Sequence, residues 1–172
     1  MEIVFAYGKC VFAHPRIENV DDMVEMMNNE KISSMLSARR RVITREFEIE
    51  WINQHQNDHT FSAYDCETLE YIGNCGYNEI DGGRGEIGIT ICEHMQGKHY
   101  AKDIILGLVR YGFEELGLDE IYAIVFSDNV RSLNCVTQLG FQEYARNKNI
   151  LERNGIPVDD IFLSLKRGGN GA

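Results

Sequence analysis

The chain has 172 residues, a net charge of −10 and a pI near 4.9, with 44% hydrophobic and 26% charged residues. That length suits one domain with a real core, the composition excludes a disordered chain, and no apolar run is long enough to cross a bilayer. The acidic balance excludes a general nucleic-acid surface, which needs a positive field against phosphate; it serves solubility and also favours cationic partners.

The opening residues, Met1 to Ala6, lack the basic flank and long apolar stretch of a signal peptide. Five cysteines (Cys10, Cys66, Cys75, Cys92, Cys135) are an odd number without CxxC spacing, which points to free thiols in a reducing compartment and so to the cytoplasm. The first strand is expected over 9–14, ended by Pro15. Val20, Met23, Val24 and Met27 then recur at helical spacing, with Asp21 and Asp22 suited to a first turn. Between Thr44 and His55, Phe47, Ile49 and Trp51 alternate like a strand, while Phe47, Trp51, Ile52 and His55 fit a helical face. A helix capped by Thr44 is expected, because that face runs longer.

Three strands are expected over 61–65, 71–77 and 86–92. Residues 66–69 give a weak turn signal, and Asp81-Gly82-Gly83 gives a clear loop. From Ala101 to Leu116 a helix is marked by Ile105, Leu108, Val109, Gly112, Phe113 and Leu116 on one face, with Gly117 to end it. A β-branched strand follows over 121–126, then a helix over 130–139 stopped by Gly140, then a strand over 161–166. Strands and helices alternate in the second half, so the expected sheet is mixed, with a parallel pair around the Ala101 helix. One domain is expected over 1–167, followed by a disordered tail, 168–172.

The stretch carrying most chemistry runs from Glu86 to Ala101. It is a strand, a short polar loop containing glycine and lysine, and then a long helix. Such a loop aims backbone N–H groups and a helix dipole at one spot, an anion site, and Lys98 and Lys102 add local positive charge. An ordinary strand-to-helix connection with a solvated lysine would read the same way from the loop alone.

Gln96-Gly97-Lys98-His99-Tyr100-Ala101 resembles the acyl-CoA pyrophosphate loop of the GNAT acetyltransferase superfamily, Q/R-x-x-G-x-G/A. A second pattern follows in order: the strand 121–126, then Asn129-Val130-Arg131-Ser132, then Leu139-Gly140-Phe141. Together with Ile72-Gly73 it looks most like the branch of ribosomal-protein N-terminal acetyltransferases. The resemblance implies an α/β (α+β) fold, a mostly antiparallel mixed sheet whose central parallel pair splays apart between flanking helices. It implies acetyl-CoA as co-substrate and a primary amine as acceptor, either a small molecule or a protein N-terminus, and it leaves room for a homodimer. Ile89, Thr90 and Ile91 would offer backbone groups to the pantetheine arm. Gln96, Gly97, Lys98, His99, Tyr100 and Ala101 would cradle the pyrophosphate. Asn129 would contact the cofactor arm, and Ser132 would bring a hydroxyl near the thiol. Each has an ordinary alternative: core for the isoleucines, a helix cap for Asn129, a local backbone bond for Ser132.

Two positions depart from the pattern. His99 stands where the loop has glycine, the residue that permits φ > 0 and close approach to phosphate. Val136 stands where many members carry a tyrosine acid. The expected chemistry is removal of a proton from an alkylammonium, attack on the thioester, and departure of a thiolate. Glu86 is the first candidate base, with Glu79 and Asp81 as rivals, while His94 and Tyr144 are polar residues for the substrate mouth. His55 and His59 are read as flanking a turn at Asn57-Asp58 and not as metal ligands. A polyamine acceptor and a non-catalytic acyl-CoA-binding module are the alternative functions. The acceptor pocket is expected from the first helices and from loops after Gly76 and Ile150.

Overall fold

The structure is a computed structural model that describes residues 1–36, 41–56 and 58–168. In chain order its elements are β1 (Phe5–Tyr7), β2 (Cys10–Ala13), α1 (Val20–Asn28), α2 (Glu30–Leu36), α3 (Arg45–Gln54), β3 (Thr60–Asp65), β4 (Tyr71–Asp81), β5 (Arg84–Ile91), α4 (Tyr100–Glu114), β6 (Glu120–Phe126), α5 (Val130–Gln138), β7 (Gln142–Arg153) and β8 (Ile156–Lys166). They form two compact units. Met1–Tyr77 and Gly88–Gly107 make the first; Asn78–Ile87 and the chain from Leu108 onward make the second. Strands β4 and β5 each contribute to both. Of the expected tail, residues 169–172 lie outside the described residues.

In the first unit β1, β2, β3 and β4 pair antiparallel in sequence. Phe5 stacks on Phe12 at 4.2 Å and meets Phe61 edge-on at 5.1 Å. Phe12, Phe61, Met23, Ile72 and Met95 are fully buried. Helix α1 buries Val20, Met23 and Met26, with Asp21 and Asp22 in its first turn. Thr44 caps α3 by accepting from the Phe47 N–H at 3.2 Å, which settles the ambiguous segment as a helix. Its buried residues are Glu48 and Ile52, whereas Phe47 and Trp51 are half-buried. Burial raises the Glu48 carboxyl.

In the second unit β5 runs parallel to β6 through Arg84↔Glu120, Gly85↔Ile121 and Glu86↔Tyr122. Strand β6 then pairs antiparallel with β8, and β8 with β7. The expected mixed sheet with a central parallel pair is therefore present. Ile121, Phe141 and Val158 are fully buried here.

The structure corrects the sequence reading over 142–160. Strand β7 and the first half of β8 form a long hairpin where no strand was expected, and the chain after Ile150 is strand and a tight turn, not a loop. Likewise the chain after Gly76 continues β4 to Asp81. Asn154 (φ 51°) and Gly155 (φ 76°) make the turn, the two-residue left-handed pair that matches strand twist in a hairpin. Residues 142–150 of β7 are all exposed, so no apolar alternation marks them.

Candidate active site

The phosphate-loop candidate lies in the first unit. Gly73 on β4 lies against β5 so closely that a Cβ there would sit 2.0 Å from the Thr90 carbonyl oxygen, and the Cys92 N–H donates to the Ile72 carbonyl at 2.9 Å. Glycine at 73 thus fixes how β5 carries Ile89, Thr90 and Ile91, all half-buried. After Cys92 one 3-10 turn, Glu93–Met95, sinks Met95 into the core. Gln96 Nε2 donates back to the Ile91 carbonyl at 3.1 Å, and Lys98 Nζ lies 3.4 Å from Met95 Sδ.

Residues 96–99 are exposed. Gly97 has φ 81° and His99 φ 69°, so His99 adopts the left-handed conformation that the family's glycine would supply. Histidine tolerates that region better than most non-glycine residues. Helix α4 starts directly after it, at Tyr100. The Tyr100 hydroxyl donates to Asp65 Oδ2 at 2.7 Å. That bond, together with the Thr68 and Glu67 N–H groups, holds the Asp65 carboxyl down at about 2, and the same carboxylate pushes the Tyr100 phenol up to about 12. Tyr100 therefore ties the loop to the end of β3 with its side chain and offers only its backbone to a ligand. The Asp103 carboxylate is engaged by the Lys9 N–H at 3.0 Å. Lys98, His99 and Lys102 are then the exposed ionisable side chains from 97 to 102, beside the first N–H groups of a 15-residue helix, which have no intrahelical acceptor.

The first unit also holds a cleft of about 220 Å³ lined by Asp22, Glu25, Asn29, Cys92, Glu93 and His94 among others. Lys31 and Asn29 hold Glu93 at 2.6 and 2.7 Å. The remaining carboxylates suit a cation. His55, by contrast, stacks on Trp51 and bonds its carbonyl through Nδ1 at 2.7 Å.

In the second unit Glu86 is half-buried, and its Oε1 accepts from Asn78 Nδ2 at 2.9 Å. Its register partner is Tyr122, a residue the sequence reading passed over inside an apolar strand. The Tyr122 hydroxyl lies 3.4 Å from Glu79 Oε2. Burial, then the charges of Glu86 and Glu79, push this phenol up to about 12. The available signal was alternation: Ile121, Ala123 and Val125 are buried, which leaves Glu120 and Tyr122 on the polar side. Asp81 is exposed at the end of β4. Asn129 caps α5, accepting from the Ser132 N–H at 3.3 Å; Ser132 is half-buried, and Val136 is core.

The acetyltransferase (GNAT) domain model matches residues 10–142. The chain belongs to the GNAT acetyltransferase family. It is 36% identical over 107 residues to the uncharacterized N-acetyltransferase p20 of Bacillus licheniformis, covering 61% of this chain and 60% of that protein. The chain thus matches about three fifths of the length of the first curated relatives. Among solved structures, the spermidine N-acetyltransferase of Vibrio cholerae in complex with CoA and spermine shares the fold at a TM-score of 0.81 and 22% identity, over 92% of this chain and 95% of that one. The ribosomal-protein-S5-alanine acetyltransferase of Vibrio fischeri does so at 0.77 and 18%, over 99% and 100%. No helix among the described residues is long and apolar enough to cross a membrane.

Proposed function

We propose that this GNAT protein is a single catalytic domain over 1–167 that transfers the acetyl group of acetyl-CoA to a primary amine, a small molecule or a protein N-terminus. The observation that carries the reading is the left-handed pair Gly97 and His99 immediately before α4, in a loop that also carries Lys98. Successive turned N–H groups at a helix N-terminus favour phosphate, and a Cβ at Gly97 would meet nothing within 4 Å, so the loop is open to a ligand. Gln96 to Ala101 hold the pyrophosphate, Ile89 to Ile91 the pantetheine arm, and Asn129 and Ser132 contribute to the same co-substrate. Acetyl-CoA supplies an activated thioester; the protein's own task is to bind, orient and move one proton.

An alkylammonium has a pKa of ~10, so roughly one molecule in a thousand is nucleophilic at neutral pH. Glu86 takes that proton, and the freed amine attacks. Backbone N–H groups of β5 steady the oxyanion. The departing thiolate, with a pKa near ~8.5, needs less help, which fits a chain with valine at 136. The net charge of −10 and the acid-lined cleft support a cationic acceptor. That cleft also favours a polyamine as the second reading, against which Val136 stands.

Calorimetric titration with acetyl-CoA tests the site. Micromolar binding, on the order of ~−8 kcal/mol, is expected. The double variant Gln96→Ala/Lys98→Ala should lose roughly tenfold or more in affinity, since a charged hydrogen bond contributes about 1.5–3 kcal/mol. Unchanged affinity in that variant would overturn the loop assignment, and turnover of no amine by a protein that binds acetyl-CoA would favour a regulatory module.

A further inference from the structure

Within the second unit one phenol on β6 is subject to two carboxylates, one from β5 and one from β4. Tyr122 on β6 faces Glu86 across the parallel ladder. Its hydroxyl lies 3.4 Å from Glu79 Oε2, and the charges of both carboxylates act on it. Glu86 is half-buried and held by Asn78 at 2.9 Å, whereas Glu79 is exposed. The Arg84 guanidinium lies 4.9 Å from the centroid of the Tyr122 ring and pairs with Glu120 at 2.8 Å.

We propose that Tyr122 is a positioning residue for proton removal: its hydroxyl holds the Glu79 carboxylate beside Glu86, so that the proton taken from the acceptor leaves through Glu79 to solvent. The inference rests on the transfer reading above. One proton leaves the ammonium nitrogen for a Glu86 oxygen, and the nitrogen keeps the electron pair that attacks. The proton then passes to Glu79, directly or over water, and from Glu79 to bulk water, which leaves both carboxylates ionised for the next turnover. Tyr122 keeps its own proton throughout. A phenol pushed up to about 12 is far weaker as an acid than the thiol of about 8.5, so it does not replace the tyrosine absent at Val136. The contact is longer than the usual O–H···O distance of about 2.7–2.8 Å; catalytic hydrogen bonds commonly tighten only when substrate is bound.

Steady-state kinetics of Tyr122→Phe, Glu79→Gln and the double variant test this. Phenylalanine keeps the ring under Arg84, so the fold is retained, and an unchanged acetyl-CoA KM verifies it. Each single variant should lower kcat roughly tenfold. The double variant should be no slower than the slower single, because both changes interrupt one path. High concentrations of imidazole buffer should restore much of the loss by carrying the proton instead. Losses that multiply, a loss that imidazole does not relieve, or a Tyr122→Phe kcat equal to wild type would overturn the proposal. Wild-type protein that turns over no amine would remove the transfer reading and this inference together, and that result is visible before any variant is made.

Discussion

The starts of α4 and α5 solve the same local problem by opposite means. At α5 a side chain does it: Asn129 Oδ1 occupies the Ser132 N–H. At α4 the backbone does it: Gly97 and His99 turn left-handed before the first helical residue, and the side chains there are spent elsewhere, Gln96 on Ile91 and Tyr100 on Asp65. A side-chain cap uses an N–H that a ligand could otherwise take, whereas a turned backbone keeps such groups available. The difference separates a helix start where a side chain takes a backbone N–H from one preceded by left-handed backbone.

The largest test of that contrast is on the backbone side. Gly73→Ala places a methyl 2.0 Å from the Thr90 carbonyl oxygen, a collision that rigid neighbouring strands cannot relieve. A loss of about 3 kcal/mol in urea unfolding is expected; a loss below about 1 kcal/mol would show that β5 yields there. On the side-chain side, Asn129→Ala should cost about 1 kcal/mol through the lost cap. Asn129→Asp keeps the cap oxygen and discards the amide donors. If Asn129 touches the co-substrate, the aspartate variant keeps its melting temperature and binds acetyl-CoA more weakly; equal affinity would leave Asn129 as a cap alone.

The smallest effect concerns the anchor of the α4 loop. Asp65 is held at about 2, first by the Tyr100 hydroxyl, below the ordinary carboxylate value of about 3.9. A depressed folded-state pKa stabilises the protein above the unfolded value, and that contribution is lost as pH falls through the folded value. Tyr100→Phe moves Asp65 back toward its ordinary range, so acid unfolding followed by circular dichroism should begin at a higher pH than in wild type. An unshifted acid transition would show that the Thr68 and Glu67 amides alone hold the carboxylate.

Sequence periodicity located most elements because they bury one face: α1, α4 and β6 each expose their pattern directly. It missed β7 because residues 142–150 are exposed throughout, so nothing in their composition alternates. Asn154-Gly155 was the one local signal of that hairpin. In α3 periodicity gave the helix and its Thr44 cap but not the full buried face, since Glu48 is buried and Phe47 is not; which side faces the core is settled by what packs against it.

The sequence by itself determined most of the elements, though not β1, α2 or β7, together with the loop pattern over 96–101 and the family it resembles, because these depend on neighbours in the chain and on residue types at short spacing. Only the tertiary structure decided that His99 takes a left-handed conformation, that Tyr100 is bound to Asp65, and that Tyr122 is the register partner of Glu86 and reaches Glu79 with its hydroxyl. The Tyr100 and Tyr122 contacts join residues tens of positions apart, and a one-residue change of strand register would carry Tyr122 to the other face.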